Sequence, residues 1–339
     1  MRESGKTLII AEGGVNHNGS LDIALRIIVA AKESGADAVK FQSFRADRLA
    51  TRTAGKADYQ KERAILEESQ LEMLRGLELD AEAHRVLLRH CQEAGITFLS
   101  SPFDEESADL LESLGVSLLK IPSGEITNLP FLRHVAGKKI PLILSTGMAT
   151  LGEVEGALET ISSIAPIGVT LLHCVTEYPA PYEQVNLLAM ETLRKAFRVP
   201  VGYSDHTTGI EVPIAAVALG AEVIEKHFTL DKNLPGPDHK ASLDPEEFSQ
   251  MVRAIRRVES ALGDGIKKPA DCERKNMPIA RKSLVALRDI RPGERLTGDM
   301  VTIKRPGDGI SPRDLEKVLG LQVVKAVGAD EVLTWDKMK

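Results

Sequence analysis

The stretch Leu8-Ile9-Ile10-Ala11-Glu12, a helical period over Leu21–Ser34, Gly35, and then Ala38-Val39-Lys40-Phe41-Gln42 decides the fold. An uninterrupted apolar run that ends on a polar residue reads as a buried strand, and Gly35 reads as the stop of the helix that follows it. The second apolar run then starts the next parallel strand. The unit recurs at Ile96–Leu99, Leu118–Ile121, Leu142–Leu144, Val169–Leu172, Val201–Tyr203 and Val223–Ile224. With the first two, that makes eight. Helical periods at Ala81–Ala94, Glu105–Leu114, Leu151–Ile164 and Pro245–Leu262 lie between or after them, and Gly95 and Gly115 close two more helices. Eight strand–helix units predict an α/β fold, a (β/α)8 TIM barrel, in preference to a doubly wound open sheet. From Arg45 to Gly76 the rhythm breaks around Tyr59-Gln60-Lys61. A loop of that length after the second strand is expected over the active face.

The barrel is expected over residues 1–265 and a linker over 266–281, where Lys267-Lys268-Pro269 and Pro278 interrupt the pattern. Residues 282–339 read as a small β-rich module. Its extended pieces are Ser283–Leu287, Arg295–Leu296 and Met300–Lys304, and its turns fall at Arg291-Pro292-Gly293 and Arg305-Pro306-Gly307. A net charge of −6 over 339 residues argues against nucleic acid or an anionic membrane as partner. Cys91, Cys174 and Cys272 show neither metal-ligand spacing nor an even framework, which suits a reducing compartment. There is no leader-like run at Met1–Lys6 and no stretch near the roughly 18 apolar residues of a membrane span. A soluble cytoplasmic protein is expected.

Barrel enzymes place their chemistry at the carboxyl ends of the strands. Every apolar run here delivers a polar residue to that rim. In order these are Glu12, Lys40 with Gln42, Ser100-Ser101, Lys120 with Ser123 and Glu125, Ser145-Thr146, His173, Ser204-Asp205-His206 and Glu225-Lys226-His227. Lysines inside apolar strand runs are costly to desolvate unless they meet an anion. Lys40 and Lys120 around one cavity therefore suit a ligand carrying both phosphate and carboxylate, with serine hydroxyls completing the shell. The alternative is internal salt bridges, with Glu12 and Glu125 as partners. His206 and His227, at the ends of adjacent strands, suit a divalent ion with positions left open, Mn²⁺ or Mg²⁺ rather than structural Zn²⁺.

The ordered motifs carry a family. Ile10-Ala11-Glu12-Gly13-Gly14-Val15-Asn16-His17-Asn18-Gly19, Val39-Lys40-Phe41-Gln42, Ser101-Pro102-Phe103-Asp104 and Lys120-Ile121-Pro122-Ser123-Gly124-Glu125 resemble the sialic acid synthase family. So do Leu144-Ser145-Thr146-Gly147-Met148, Tyr178-Pro179, Ser204-Asp205-His206-Thr207, Glu225-Lys226-His227-Phe228-Thr229 and Pro235-Gly236-Pro237-Asp238. The tail, with Lys304-Arg305-Pro306-Gly307, resembles that family's antifreeze-like (SAF, β-clip) domain. The resemblance implies a domain-swapped homodimer that condenses phosphoenolpyruvate with an N-acyl amino sugar. It implies that Lys40, Lys120, Ser101, Ser123, Ser145 and Ser204 hold phosphoenolpyruvate, and that His206 and His227 hold Mn²⁺. Glu12, Tyr178 and Asp238 would line the sugar site, and Arg305 would reach in from the other subunit. Glu125 would stabilise the cationic C2 and hold the water that adds there.

Where neuraminate-forming members read Cys-Thr-Asn-x-Tyr-Pro, this chain has Cys174-Val175-Thr176-Glu177-Tyr178-Pro179. The hydroxyl of Thr176 replaces an amide, which resembles the legionaminic acid branch and its 2,4-diacetamido-2,4,6-trideoxy acceptor. N-acetylmannosamine remains the alternative acceptor. Two further readings stay open: a Schiff-base aldolase using Lys120 or Lys40, and a non-catalytic carbohydrate-binding protein.

Overall fold

In a computed structural model, which describes residues 6–56 and 69–339, the chain divides into two compact units, Met1–Gly263 and Asp264–Lys339. The first holds eight parallel strands: β1 Leu8–Gly14, β2 Ala38–Ser43, β3 Thr97–Pro102, β4 Leu119–Ile121, β5 Leu142–Ser145, β6 Val169–His173, β7 Val201–Asp205 and β8 Val223–His227. Hydrogen-bonded neighbours run β3-β2-β1-β8-β7-β6-β5-β4, so the last strand pairs with the first, and β3 packs beside β4. This is the closed (β/α)8 barrel that the repeat predicts.

The strands run further than their apolar cores. β1 continues through Glu12, β2 through Gln42, β7 through Asp205 and β8 through His227. The polar residues expected on loops after the strands therefore sit on strand backbone, where the two-residue period fixes their direction. Glu12, Lys40, Ser101, Ser204, Glu225 and His227 face the barrel interior above a layer of Ile10, Ala38, Leu99, Ile143, Leu172 and Val223. Phe41, Leu171, Val201 and Ile224, of opposite parity, pack outward into the larger core between strands and helices.

Helices at Leu21–Glu33, Ala81–Ala94, Glu105–Ser113, Leu151–Ile164 and Pro245–Leu262 match the sequence pattern within a residue at their ends. Gly95 caps its helix at φ +66, where a side chain would be strained. The described part of the interval from Arg45 to Gly76 contains two helices, Ala46–Leu49 and Gln70–Leu77, with turn and irregular backbone over 50–56. Ser69 starts the second of these with a reciprocal cap to Glu72. Tyr59, on the loop expected over the active face, lies outside the described residues.

The second unit has an antiparallel pair, β9 Ser283–Ala286 and β10 Val301–Lys304, with bridges such as Ile290↔Val327 and Val323↔Met338. Its own core gathers Leu284, Ile290, Leu296, Ile310, Val323 and Leu333. Within the segment read as a linker, Asp271–Arg274 and Met277–Ala280 form short helices. Among the described residues, no helix is long and apolar enough to cross a membrane.

Candidate active site

A cavity of about 350 Å³ opens at the carboxyl ends of the strands. Of the residues expected there, Glu12, Lys40, Ser101, Lys120, Ser123, Ser145, Thr176, Tyr178, Ser204, His206, His227 and Asp238 all line it. Glu125 and Arg305 do not. Glu125 sits on the 3-10 turn Ser123–Glu125 beyond the end of β4, and its carboxylate accepts from Asn128 Nδ2 at 2.7 Å. Arg305 belongs to the second unit, where its guanidinium donates to the Ala280 carbonyl at 3.1 Å.

The lysines are internally paired, with one partner different from expectation. Lys40 Nζ lies 2.6 Å from Glu12 and also donates to Ser101 Oγ at 2.9 Å. Lys120 Nζ donates to Glu225 Oε1 at 3.1 Å, and Lys40 is 3.7 Å from the other oxygen of Glu225. The sequence reading gave Glu125 as the second carboxylate. Glu225 takes that place because it lies on β8 with its side chain turned inward, whereas Glu125 is carried past the barrel layer that holds Lys120. Parity was the available signal: Glu225 stands two residues before His227 and pairs in register with Ser204, which donates to it at 2.9 Å.

Buried, the two carboxylates behave differently. Burial works against ionising Glu225, but Lys120 and Lys40, with the Ser204 hydroxyl, outweigh it and hold its pKa below the usual range. Glu12 is pushed the other way by burial, which the nearby Lys40 offsets only in part and Glu225 reinforces. Lys40 stays protonated: burial lowers its pKa, and Glu12 and Glu225 more than restore it. A charged, ion-paired lysine is a poor amine nucleophile, which weighs against the Schiff-base reading. Burial also raises Asp238, to about 6. The cluster thus gathers Lys40 and Lys120 on one firm anion, Glu225, beside a carboxyl, Glu12, that burial makes easier to protonate, a setting that favours an incoming anion.

The rings of His206 and His227 have centroids 5.5 Å apart. Metal–nitrogen bonds of about 2 Å and a ring radius of about 1 Å put two imidazoles that share an ion roughly 5 Å apart between centroids. Tyr178 packs on both, 4.1 Å from His206 and 5.4 Å from His227 between centroids. His206 Nδ1 faces the Val175 carbonyl at 2.5 Å, which leaves Nε2 as the lone-pair nitrogen. His227 Nδ1 is buried without a hydrogen bond, 3.7 Å from Asp238. Burial lowers His206 to about 4, and burial with His206 alongside lowers His227 well below its ordinary value. Both rings are neutral at neutral pH, as ligands must be. These residues fit a divalent ion. Among the described residues no group of three or more His, Cys, Asp or Glu is arranged to hold one, so the remaining positions would fall to small molecules.

Other parts of the motifs are structural. Asn16 donates to the Phe228 carbonyl and to Ser242, and His17 accepts from the Gly19 amide. Ser145 Oγ and Thr176 Oγ1 are buried in the cavity wall with no partner, poised for a ligand. Ser123 Oγ accepts from the Gly147 amide at 3.0 Å and meets Cys174 Sγ at 3.2 Å. Gly147 is needed at that approach, since a Cβ there would stand 2.4 Å from Thr176 Oγ1 and 2.8 Å from Ser123 Oγ. The opposite wall is apolar, from Val15, Leu49, Met73, Leu74, Leu77 and Phe103, and only the folded chain brings it there.

A closed parallel barrel with buried lysines, carboxylates and imidazoles converging at its strand ends has the form of a barrel enzyme. The NeuB family model matches residues 27–267 and the SAF domain model residues 281–339. The chain belongs to the NeuB family. It is 54% identical over 330 residues, 97% of this chain and 99% of the relative, to the N,N'-diacetyllegionaminic acid synthase of Campylobacter jejuni. It is 50% identical to the enzyme of the same name from Legionella pneumophila, over 98% of this chain and 94% of that one. Among solved structures, the sialic acid synthetase of Leptospira borgpetersenii superposes with a TM-score of 0.70 at 35% identity, covering 80% of this chain and 90% of that one.

Proposed function

We propose that the barrel joins phosphoenolpyruvate to 2,4-diacetamido-2,4,6-trideoxymannose, giving N,N'-diacetyllegionaminic acid and inorganic phosphate. The observation that carries this reading is the convergence of Lys40, Lys120 and the His206–His227 pair on one cavity. The identity to two legionaminic acid synthases, 54% and 50%, supports the choice of acceptor. The human N-acetylneuraminate-9-phosphate synthase stands at 38%. N-acetylmannosamine is the second reading.

Lys40 and Lys120 would bind the donor's phosphate and carboxylate, displacing part of their internal pairing, while Ser101, Ser123, Ser145 and Ser204 supply hydroxyls. A divalent ion held by His206 and His227, Mn²⁺ in preference to Mg²⁺, would supply Lewis-acid polarisation of the acceptor's aldehyde. Tyr178, Thr176 and Asp238 would orient the open-chain sugar. C3 of phosphoenolpyruvate then attacks the aldehyde carbon, and Glu12, raised by burial, would give its proton to the oxygen that becomes a hydroxyl. Water adds to the cationic C2 and loses one proton to give a C2 hydroxyl. The tetrahedral centre then collapses to the ketone as the C2–O bond to phosphate breaks, and the hydroxyl proton leaves with the phosphate. The second unit and its Arg305 would act as a cover in a domain-swapped homodimer. Three unpaired cysteines support a cytoplasmic setting.

A phosphate-release assay with a panel of N-acyl hexoses, with and without EDTA, tests the reading. Release is expected to be fastest with the diacetamido sugar and to stop on chelation. Fastest release with N-acetylmannosamine would overturn the acceptor, and release indifferent to EDTA would overturn the metal. For Glu125, the resemblance assigns the C2 cation and the attacking water, although the carboxyl sits on the rim. Glu125→Gln is expected to leave donor binding within twofold and to lower turnover by about a hundredfold, the range of general acid–base losses. Turnover within threefold of the parent would pass the role to Glu12.

A further inference from the structure

The two inward-facing histidines are flanked by outward-facing residues of opposite charge. Asp205 on β7 and Lys226 on β8 pair in register, and both side chains have 0% exposure. Lys226 Nζ donates to Asp205 Oδ2 at 2.5 Å and also to the Thr207 carbonyl. Asp205 Oδ1 accepts from the Thr207 amide at 3.1 Å and from its hydroxyl at 2.9 Å. His206 lies between Asp205 and Thr207, so both ends of its backbone are tied to the residue that precedes His227.

We propose that Asp205, Lys226 and Thr207 form a strut that sets the separation of His206 and His227 and thereby the affinity of the site for a divalent cation. This rests on the metal reading above. Stability is a weak reason for such a pair, because a fully buried ion pair gives up so much hydration that apolar replacements are often as stable. What an ion pair supplies that an apolar pair does not is direction: two hydrogen-bonded attachment points, Asp205 at the last ladder pair and Thr207 beyond it, fix the register of β7 against β8. The three residues are positioning residues that act through the histidine backbone, as outer residues orient ligands at other metal sites.

The test is Mn²⁺ binding to the full chain, measured by the electron paramagnetic resonance of free Mn²⁺, with thermal melting recorded alongside. Asp205→Asn with Lys226→Met removes both charges and retains similar shapes. It is expected to melt within a few degrees of the parent and to bind Mn²⁺ at least tenfold more weakly, the range seen when residues behind metal ligands are lost. Affinity within twofold of the parent in the folded double variant overturns the strut, whatever the melting temperature. Should that variant not fold, Thr207→Val removes only the hydroxyl contact; a threefold or greater weakening supports the strut, and a smaller change overturns it. A parent that binds no Mn²⁺ refutes the metal reading itself, a different failure.

Discussion

Lys120→Met is expected to raise the KM for phosphoenolpyruvate about a hundredfold. A charge-assisted hydrogen bond contributes about 1.5–3 kcal/mol, and about 1.4 kcal/mol is a factor of ten. The same change leaves Glu225 buried with Ser204 and a longer contact to Lys40. Removing one partner of a buried pair costs about 3–5 kcal/mol of stability, so the single variant will also melt lower. Lys120→Met with Glu225→Gln separates the effects. It is expected to recover most of the melting temperature, because the stranded charge is gone, while donor affinity stays poor. If the double variant regains the parent's KM, Lys120 serves only to balance Glu225 and does not bind substrate.

His206→Ala should lower phosphate release at least a thousandfold and abolish tight Mn²⁺ binding, because one imidazole cannot chelate. A metal's stabilisation of developing charge is worth several kcal/mol, which corresponds to that factor. The pH dependence carries a sign. Burial lowers both imidazoles, His206 to about 4, so the neutral, ligating form persists below the ordinary histidine range. Mn²⁺ affinity is therefore expected to change less than threefold between pH 7.5 and 6.0. Two histidines at about 6.5 would lose roughly tenfold or more over that interval. Such a loss would mean either that the rings are more exposed to water than their packing against Tyr178 implies, or that Asp238, raised to about 6, gives up its charge beside His227 in the same interval.

The barrel was legible because each strand, buried on both faces, must be written as a continuous apolar run, and because helices such as Ala81–Ala94 stop at a glycine, here Gly95 in the left-handed region. Most of the cavity was legible for a related reason: a lysine within such a run has nowhere to go but the barrel interior or another buried charge. The apolar wall from Leu49 and Met73–Leu77 was not, because amphipathic helical residues after the second strand give no sign of which surface they will cover. Glu225 was visible as a rim residue, yet its role as the counterion of both lysines depends on which strand faces which across a closed ring.

By itself, then, the sequence determined the order of elements, the parity that turns Lys40, Glu225 and His227 inward, and a rim dense in polar side chains. The tertiary structure decided the pairings: Lys120 with Glu225, the stacking of Tyr178 on two imidazoles, and the exclusion of Glu125 from the cavity wall. Periodicity is a local property of the chain and can be read one residue at a time. A contact across the barrel, as between residues 120 and 225, depends on closure, stagger and the length of each strand beyond its apolar core. Only packing the whole ring fixes those.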